Sequence, residues 1–237
     1  SSHKRIRRLR NNKPARPLRI CKTQESMNFI DPSLEAYVAK HSEQEPELLQ
    51  KLARETHLKV LQPRMLSGAY QGRLLAVLSK LTSPKRILEI GTYTGYSALC
   101  LAEGLQADGQ IDTIDKDEEL TDMQRKYFDA SGFGKHIVQH LGNAAEIIPT
   151  IEGTFDFVFI DADKEQYPRY FDLIVDRVRS GGLIIADNVL WSGKVVESAT
   201  DEATESLQIF NEKVAKDSRV ETVILAVRDG LTLLRKI

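Results

Sequence analysis

Apolar side chains recur along this chain in two alternating rhythms, a three-to-four-residue spacing and short continuous runs, which predict helices and strands in turn. Residues 32–40 and 46–56 place Leu34, Tyr37 and Val38, then Leu48, Leu49 and Leu52, at helical spacing, with Pro46 suited to open the second helix. Both read as cover helices. Residues 65–81 begin with a loop-like Ser67-Gly68 and continue as an amphipathic helix through Leu74, Leu75, Leu78 and Leu81, which Pro84 brings to an end.

The chain then changes character at residues 86–99, RILEIGTYTGYSAL. Ile87, Leu88 and Ile90 form an apolar run of strand length, Gly91 and Gly95 bracket a polar turn, and a helix is expected to start near Tyr96. Glycines in such a turn allow the backbone to approach a ligand closely, and the helix start behind them presents unpaired N–H groups, so a cofactor fits there. The spacing Gly-x-x-x-Gly is not the Gly-x-Gly-x-x-Gly of dinucleotide enzymes.

From there strands and helices alternate. Strand 110–115 precedes helix 117–130, strand 137–140 precedes helix 144–148, and strand 155–161 precedes helix 165–178. Strand 183–187 leads through a loop into helix 202–215, and strands 220–227 and 231–235 close the chain around the hairpin signal Asp229-Gly230. The pattern predicts an α/β fold, a doubly wound, mostly parallel seven-stranded sheet with a final antiparallel strand. Ligands of such sheets sit beyond the carboxyl ends of the strands. No internal repeat or low-complexity linker interrupts the pattern.

At 237 residues, 41% hydrophobic and 28% charged, the chain suits one domain with a substantial core. Its charge is unevenly placed. Residues 1–26 carry nine Lys or Arg against one acid, a balance of +8, which leaves −9 for the remainder of a chain with formal net charge −1. The acidic body argues against a nucleic-acid-binding face on the domain. The basic head has no apolar core of signal-peptide length, and nowhere do 18 apolar residues run together, so neither membrane insertion nor secretion is expected and a cytoplasmic location is. Residues 1–26 are read as an extension outside the fold, upstream of a start at Met27, with 27–237 as the single domain; a nucleic-acid arm, a membrane arm and a targeting segment are the alternatives. The two cysteines, Cys21 and Cys100, indicate no disulfide framework or thiolate zinc site, and Cys100 reads as core.

Candidate chemistry gathers at the strand ends. Asp115 closes the second strand, 26 residues after Glu89, where a carboxylate can accept hydrogen bonds from ribose hydroxyls. FVFIDADK puts Asp161 at the end of an apolar strand with Asp163 and Lys164 just beyond, and LIIADNVLW puts Asp187 and Asn188 at the end of the next. Side by side, Asp161, Asp187 and Asn188 make the oxygen ligand set of a hard divalent cation rather than of zinc; otherwise the two acids would only cap the helices that follow. His136 and His140, four apart on a strand, share a face without reaching chelating range and read as ordinary edge residues. Tyr167, Tyr170 and Phe171, at helical spacing, read as core or subunit interface.

The segments EIGTYTGYSAL, FIDADK and DNVLW, in this order at three strand ends, closely resemble the cation-dependent class I S-adenosylmethionine O-methyltransferases of the caffeoyl-CoA and catechol type, with their Rossmann-like fold. The resemblance covers residues 27–237. It implies that Glu89, Gly91, Gly95 and Ser97 line the methionine end of S-adenosylmethionine, with Thr92 and Tyr93 also binding the cofactor, that Asp115 binds the ribose and that Ala144 lies beside the adenine. It further implies that Met65, Leu66 and Ser67 close over the cofactor, that Asp163 lies near its amino group and that Asp161 also contacts the cofactor. Asp161, Asp187 and Asn188 match the metal ligands, for Mg²⁺ or Ca²⁺ and also Mn²⁺. Lys164 matches the catalytic lysine, which a nearby cation would push down toward neutrality, and Trp191 matches an aromatic that flanks the substrate. The implied reaction is methyl transfer to one of two vicinal hydroxyls on a small aromatic molecule, by a homodimer. Residues 192–201 lack aromatics and do not match a coenzyme A ester pocket, which favours a smaller catechol or a polyphenol over caffeoyl-CoA. A noncatalytic adenosine-cofactor-binding module and an NAD-dependent oxidoreductase are the rival readings.

Overall fold

The computed structural model describes residues 31–237, so the expectations for residues 1–26 lie outside the described part. Two helices come first. α1 (Pro32–Lys40) is capped by Asp31, whose side chain accepts from the Ser33 N–H. It buries no side chain, with Leu34 and Tyr37 largely exposed, so it is a flap beside the body rather than the cover helix its spacing suggested. α2 (Glu47–Lys59) buries Leu49, Leu52 and Thr56. A short turn at Pro63–Met65 leads into α3 (Gly68–Thr82).

The sheet follows as β1 (Arg86–Ile90), α4 (Tyr96–Ala102), β2 (Gln110–Asp115), α5 (Thr121–Ala130), β3 (Ile137–Leu141) and α6 (Ala144–Ile147). It continues through β4 (Phe155–Ile160), α7 (Tyr167–Ile174), β5 (Val178–Asp187), α8 (Glu202–Lys216), β6 (Val220–Leu225) and β7 (Leu231–Lys236). The seven strands lie in the order β3-β2-β1-β4-β5-β7-β6. Strands 1 to 5 pair in parallel, and β7 is antiparallel to both β5 and β6. The expected antiparallel strand is therefore last in the chain but not at the sheet edge, because the hairpin after β6 folds it back into the gap beside β5.

Strand alternation divides the core. Leu88, Ile90, Val158, Ile160 and Ile184 face a layer formed by α6, α7 and α8, while Ile87, Phe157, Phe159 and Ile185 face α2, α3, α4 and α5. Cys100 is fully buried among the second group, and burial pushes its thiol up to about 12.

One boundary differs from the sequence pattern. The helix expected over 165–178 is α7 alone, flanked by single turns at Lys164–Gln166 and Val175–Arg177, and β5 starts five residues earlier than its apolar run. Arg177 explains the early stop: its guanidinium donates to the carbonyls of Ile148, Ile151 and Gly153 and ties the helix end to the segment before β4. Val178 then pairs with Phe155, and a register shift absorbs the Ser180-Gly181-Gly182 stretch.

Candidate active site

The strand order reverses direction between β1 and β4, and the cleft opens there, beyond the carboxyl ends of the parallel strands. It encloses about 1550 Å³ and is walled by the turns after β1, β2, β4 and β5, by the Met65–Ser67 segment, and by Glu35, Val38 and Ala39 of α1.

The turn after β1 is shaped by packing as much as by any ligand. A Cβ on Gly91 would stand 1.9 Å from the Asp161 carbonyl, and one on Gly95 would stand 2.6 Å from the Phe128 ring. Both residues also have positive φ, which favours glycine. Gly91 and Tyr93 line the cleft, and Glu89, Thr92, Gly95 and Ser97 sit behind its wall. Their backbone and side chains form a buried support: Ser97 and Thr113 hydroxyls pair with the two Glu89 oxygens at 2.6 and 2.5 Å, and the Thr92 hydroxyl lies 2.6 Å from that of Thr113.

Complete burial pushes the Glu89 carboxyl up to about 8, so it holds its proton at neutral pH. A carboxyl whose folded pKa lies above its unfolded value stabilises fully below the unfolded value, and that stability is lost as pH rises toward the folded one. Between pH 6 and 8 this loss amounts to about 2 kcal/mol. Glu89→Gln is therefore expected to reduce the fall in Tm over that interval by roughly 4–8 °C; a thermal denaturation series showing the same fall in both proteins would contradict the assignment.

Asp115 is held rigidly at the rim. Its oxygens accept from the backbone N–H of Tyr93 at 2.6 Å and of Asp117 at 2.9 Å, and the Tyr93 hydroxyl donates to the Gln62 carbonyl at 2.8 Å across the cleft entrance. Ala144 lines the cleft at the start of α6. Asp163 forms a half-exposed ion pair with Lys116 at 2.8 Å, a partner that no pattern in the sequence pointed to.

A tighter cluster stands at the ends of β4 and β5. Lys164 is 9% exposed, and its Nζ donates to Asp161 Oδ1 at 2.9 Å and to the Tyr167 hydroxyl at 2.8 Å. The Tyr167 hydroxyl in turn donates to the Asp187 carbonyl at 2.8 Å. This placement excludes a solvated helix-start lysine. Burial alone would lower its pKa, but Tyr167, Asp161 and Asp187 outweigh burial and raise it. The Asp187 carboxylate accepts from the Gln71 side chain at 2.6 Å and from the Asn188 N–H at 2.6 Å. Even so, burial and the nearby Asp161 charge push it up to about 7.

After β5 the chain makes a strained turn. Asn188, Trp191 and Ser192 all have positive φ, with Gly193 following. Non-glycine residues hold such conformations only where the surroundings impose them. Here Asn211 donates to the Val189 carbonyl, Leu190 N–H donates to the Asp229 carbonyl, and Ser192 N–H donates to Asp229 Oδ1. The hairpin between β6 and β7 thus fixes the turn that carries Asn188 and Trp191 into the cleft wall. The Trp191 Nε1–H is buried and finds no partner among the described residues.

Among the described residues no group of three or more His, Cys, Asp or Glu side chains is clustered for a metal. The cleft offers instead two carboxylates, Asp161 and Asp187, with the amide of Asn188 beside them. His136 and His140 take no part. His136 lies in the turn before β3 rather than in the strand and pairs with the Gly109 carbonyl, and His140 Nε2 lies 2.9 Å from the buried Asp112.

The sequence profile of a family described as O-methyltransferase matches residues 39–237, nearly all of the described chain. The chain belongs to this O-methyltransferase family. Caffeoyl-CoA O-methyltransferase of Petroselinum crispum is 36% identical over 206 residues, covering 81% of this chain and 85% of the relative. Among solved structures, the O-methyltransferase TomG of Streptomyces achromogenes, in complex with SAM, has a TM-score of 0.80 at 32% identity, covering 86% of this chain and 96% of TomG. The O-methyltransferase of Bacillus cereus, in complex with SAH, has a TM-score of 0.81 at 27% identity, covering 86% of this chain and 97% of that one.

In this O-methyltransferase, Gln71, Tyr167 and Thr113 are polar supports that the sequence pattern did not expose. Gln71 and Thr113 act across long sequence separations. Tyr167 lies three residues after Lys164, a spacing that brings side chains together on a helical turn, but its place in an apolar stripe masked its hydroxyl.

Proposed function

We propose that the enzyme transfers the methyl group of S-adenosylmethionine to one of two vicinal hydroxyls of a small catechol-like or phenylpropanoid acceptor held at a divalent cation. The observation that carries this reading is the pair of neighbouring carboxylates, Asp161 and Asp187, with a buried lysine hydrogen-bonded to Asp161 in the cleft wall. The donor set is all oxygen, and the raised proton affinity of Asp187 marks a site short of positive charge, so Asp161, Asp187 and Asn188 fit Mg²⁺, Ca²⁺ or Mn²⁺. Such a cation supplies Lewis acidity toward an acceptor hydroxyl.

The remaining chemistry rests on the chain's own residues. Asp161 and Asp187, two of the three groups that raise Lys164, are also the ones assigned as ligands, so a bound cation would cancel their share and leave only Tyr167 to oppose burial, which lowers it. Tyr167 orients Lys164 toward Asp161, and Lys164 takes the acceptor's hydroxyl proton. Attack of the oxyanion on the sulfonium methyl neutralises both charges, so a cleft that sheds water on closure by the Met65–Ser67 segment favours the step.

The names of the relatives support both substrates: the parsley protein is named for a phenylpropanoid ester, and two structural neighbours were solved with SAM or SAH. We place S-adenosylmethionine along the β1 turn, with its ribose on Asp115. Asp115→Ala is expected to weaken S-adenosylhomocysteine binding roughly 10- to 100-fold, the worth of hydrogen bonds to a charged acceptor; calorimetric titration showing unchanged affinity would move the ribose elsewhere.

We further propose a cytoplasmic homodimer. No helix among the described residues is long and apolar enough to cross a membrane, and α3 leaves Tyr70, Val77 and Leu81 exposed on one side. The acceptor assignment is tested by comparing a catechol with its single-hydroxyl analogue under the same conditions. Methylation of the catechol alone is expected; equal turnover of both would remove the two-oxygen requirement.

A further inference from the structure

Gln71 stands out among buried polar side chains with no assigned part in the reaction. It lies on α3, 116 residues from Asp187 in sequence, is 1% exposed, and its Nε2 donates to Asp187 Oδ2 at 2.6 Å. The other oxygen, Oδ1, accepts from the N–H of the next residue, Asn188, at 2.6 Å. Each carboxylate oxygen therefore has one fixed donor, and the two together set the plane in which its remaining lone pairs point.

The choice of side chain matters. An Arg or Lys in this place would neutralise Asp187 and compete with a cation, whereas an amide supports the carboxylate and leaves its charge intact. The backbone around Gln71 is also locked. A Cβ on Gly72 would meet the Tyr96 ring at 2.7 Å and Cys100 Sγ at 2.9 Å, so α3 presses directly on α4 there. Arg73 adds an ion pair to Glu103 at 2.6 Å. The same helix begins at Gly68, one turn before Gln71 and directly after the Met65–Ser67 segment of the cleft wall.

We infer that Gln71 is a positioning residue that orients the Asp187 carboxylate for a divalent cation and links that ligand to the segment covering the cleft. The inference rests on the cation reading above. Outer-shell partners of metal ligands typically change metal affinity 10- to 100-fold when removed.

The test is titration of the full chain with Mn²⁺, following free Mn²⁺ by electron paramagnetic resonance, beside calorimetric binding of S-adenosylhomocysteine and thermal denaturation. Gln71→Leu is expected to weaken Mn²⁺ binding by about 10- to 100-fold while leaving S-adenosylhomocysteine affinity close to that of the parent and lowering Tm only by the few degrees that one lost hydrogen bond to a buried carboxylate implies. Gln71→Asn, which keeps an amide but draws it back by one methylene, is expected to weaken Mn²⁺ in the same direction and serves where the leucine variant does not fold. Parent-like Mn²⁺ affinity in both variants would overturn the inference. Parallel loss of Mn²⁺ binding, S-adenosylhomocysteine binding and Tm in both would also overturn it, since that describes a structural role. Absence of Mn²⁺ binding in the parent chain would instead overturn the cation reading, and the inference with it.

Discussion

Asp187→Asn is expected to reduce methyl transfer by roughly a thousandfold or more, the equivalent of about 4 kcal/mol of barrier, while making the cation-free protein more stable above neutral pH. Both effects have one origin. Asp187 is buried beside Asp161, and that environment pushes it up from the ordinary carboxylate range to about 7. Its contribution to stability is therefore intact below the unfolded value and is lost as pH rises through the folded one. The neutral amide has the same shape and no ionisation to oppose, and Gln71 can turn its own amide to match. In chelator at pH 8, Tm is expected to rise by several degrees relative to the parent, with the difference shrinking toward pH 5. A variant that is both inactive and less stable at pH 8 would contradict a carboxylate kept at a cost in stability for function.

Lys164→Met is expected to lower kcat by about 10² to 10⁴, the usual worth of a positioned general base. Lys164→Arg should not restore it, because a guanidinium keeps its charge and cannot accept the acceptor's proton. The pH profile separates this role from simple positioning. The parent's kcat should rise on the alkaline side as Lys164 loses its proton, and both variants should lack that rise. S-adenosylhomocysteine binding should change little, since the lysine's partners are Asp161 and Tyr167. An arginine variant with near-parent kcat would make the residue an electrostatic support and leave the base unassigned.

Much of this site was legible because its parts are short and local. A strand followed by an acid is read from consecutive residues, so Asp115, Asp161, Asp187 and Asn188 appear at the expected strand ends, facing one cleft. Local reading says less about which way an adjacent residue points. Glu89, Thr92 and Ser97 neighbour the glycine turn in sequence, yet their side chains close on one another behind it. Gly95 is required by the Phe128 ring, a contact 33 positions away that spacing alone does not encode. The early start of β5 has the same explanation, since Ser180-Gly181-Gly182 reads as a break and only the Arg177 bonds and the pairing with β4 carry the strand across it. Gln71 is the extreme case: in the sequence it is one polar position on an amphipathic helix, and only the packing of α3 shows that it meets Asp187.

The central claim is a methyl transfer that needs a cation, and its most direct test is transfer from labelled S-adenosylmethionine to a catechol by protein stripped with a chelator and then supplied with Mg²⁺. The account predicts no labelled product in chelator and recovery of transfer on adding Mg²⁺. Full transfer in the presence of chelator would contradict it, leaving Asp161, Asp187 and Asn188 without the role assigned to them.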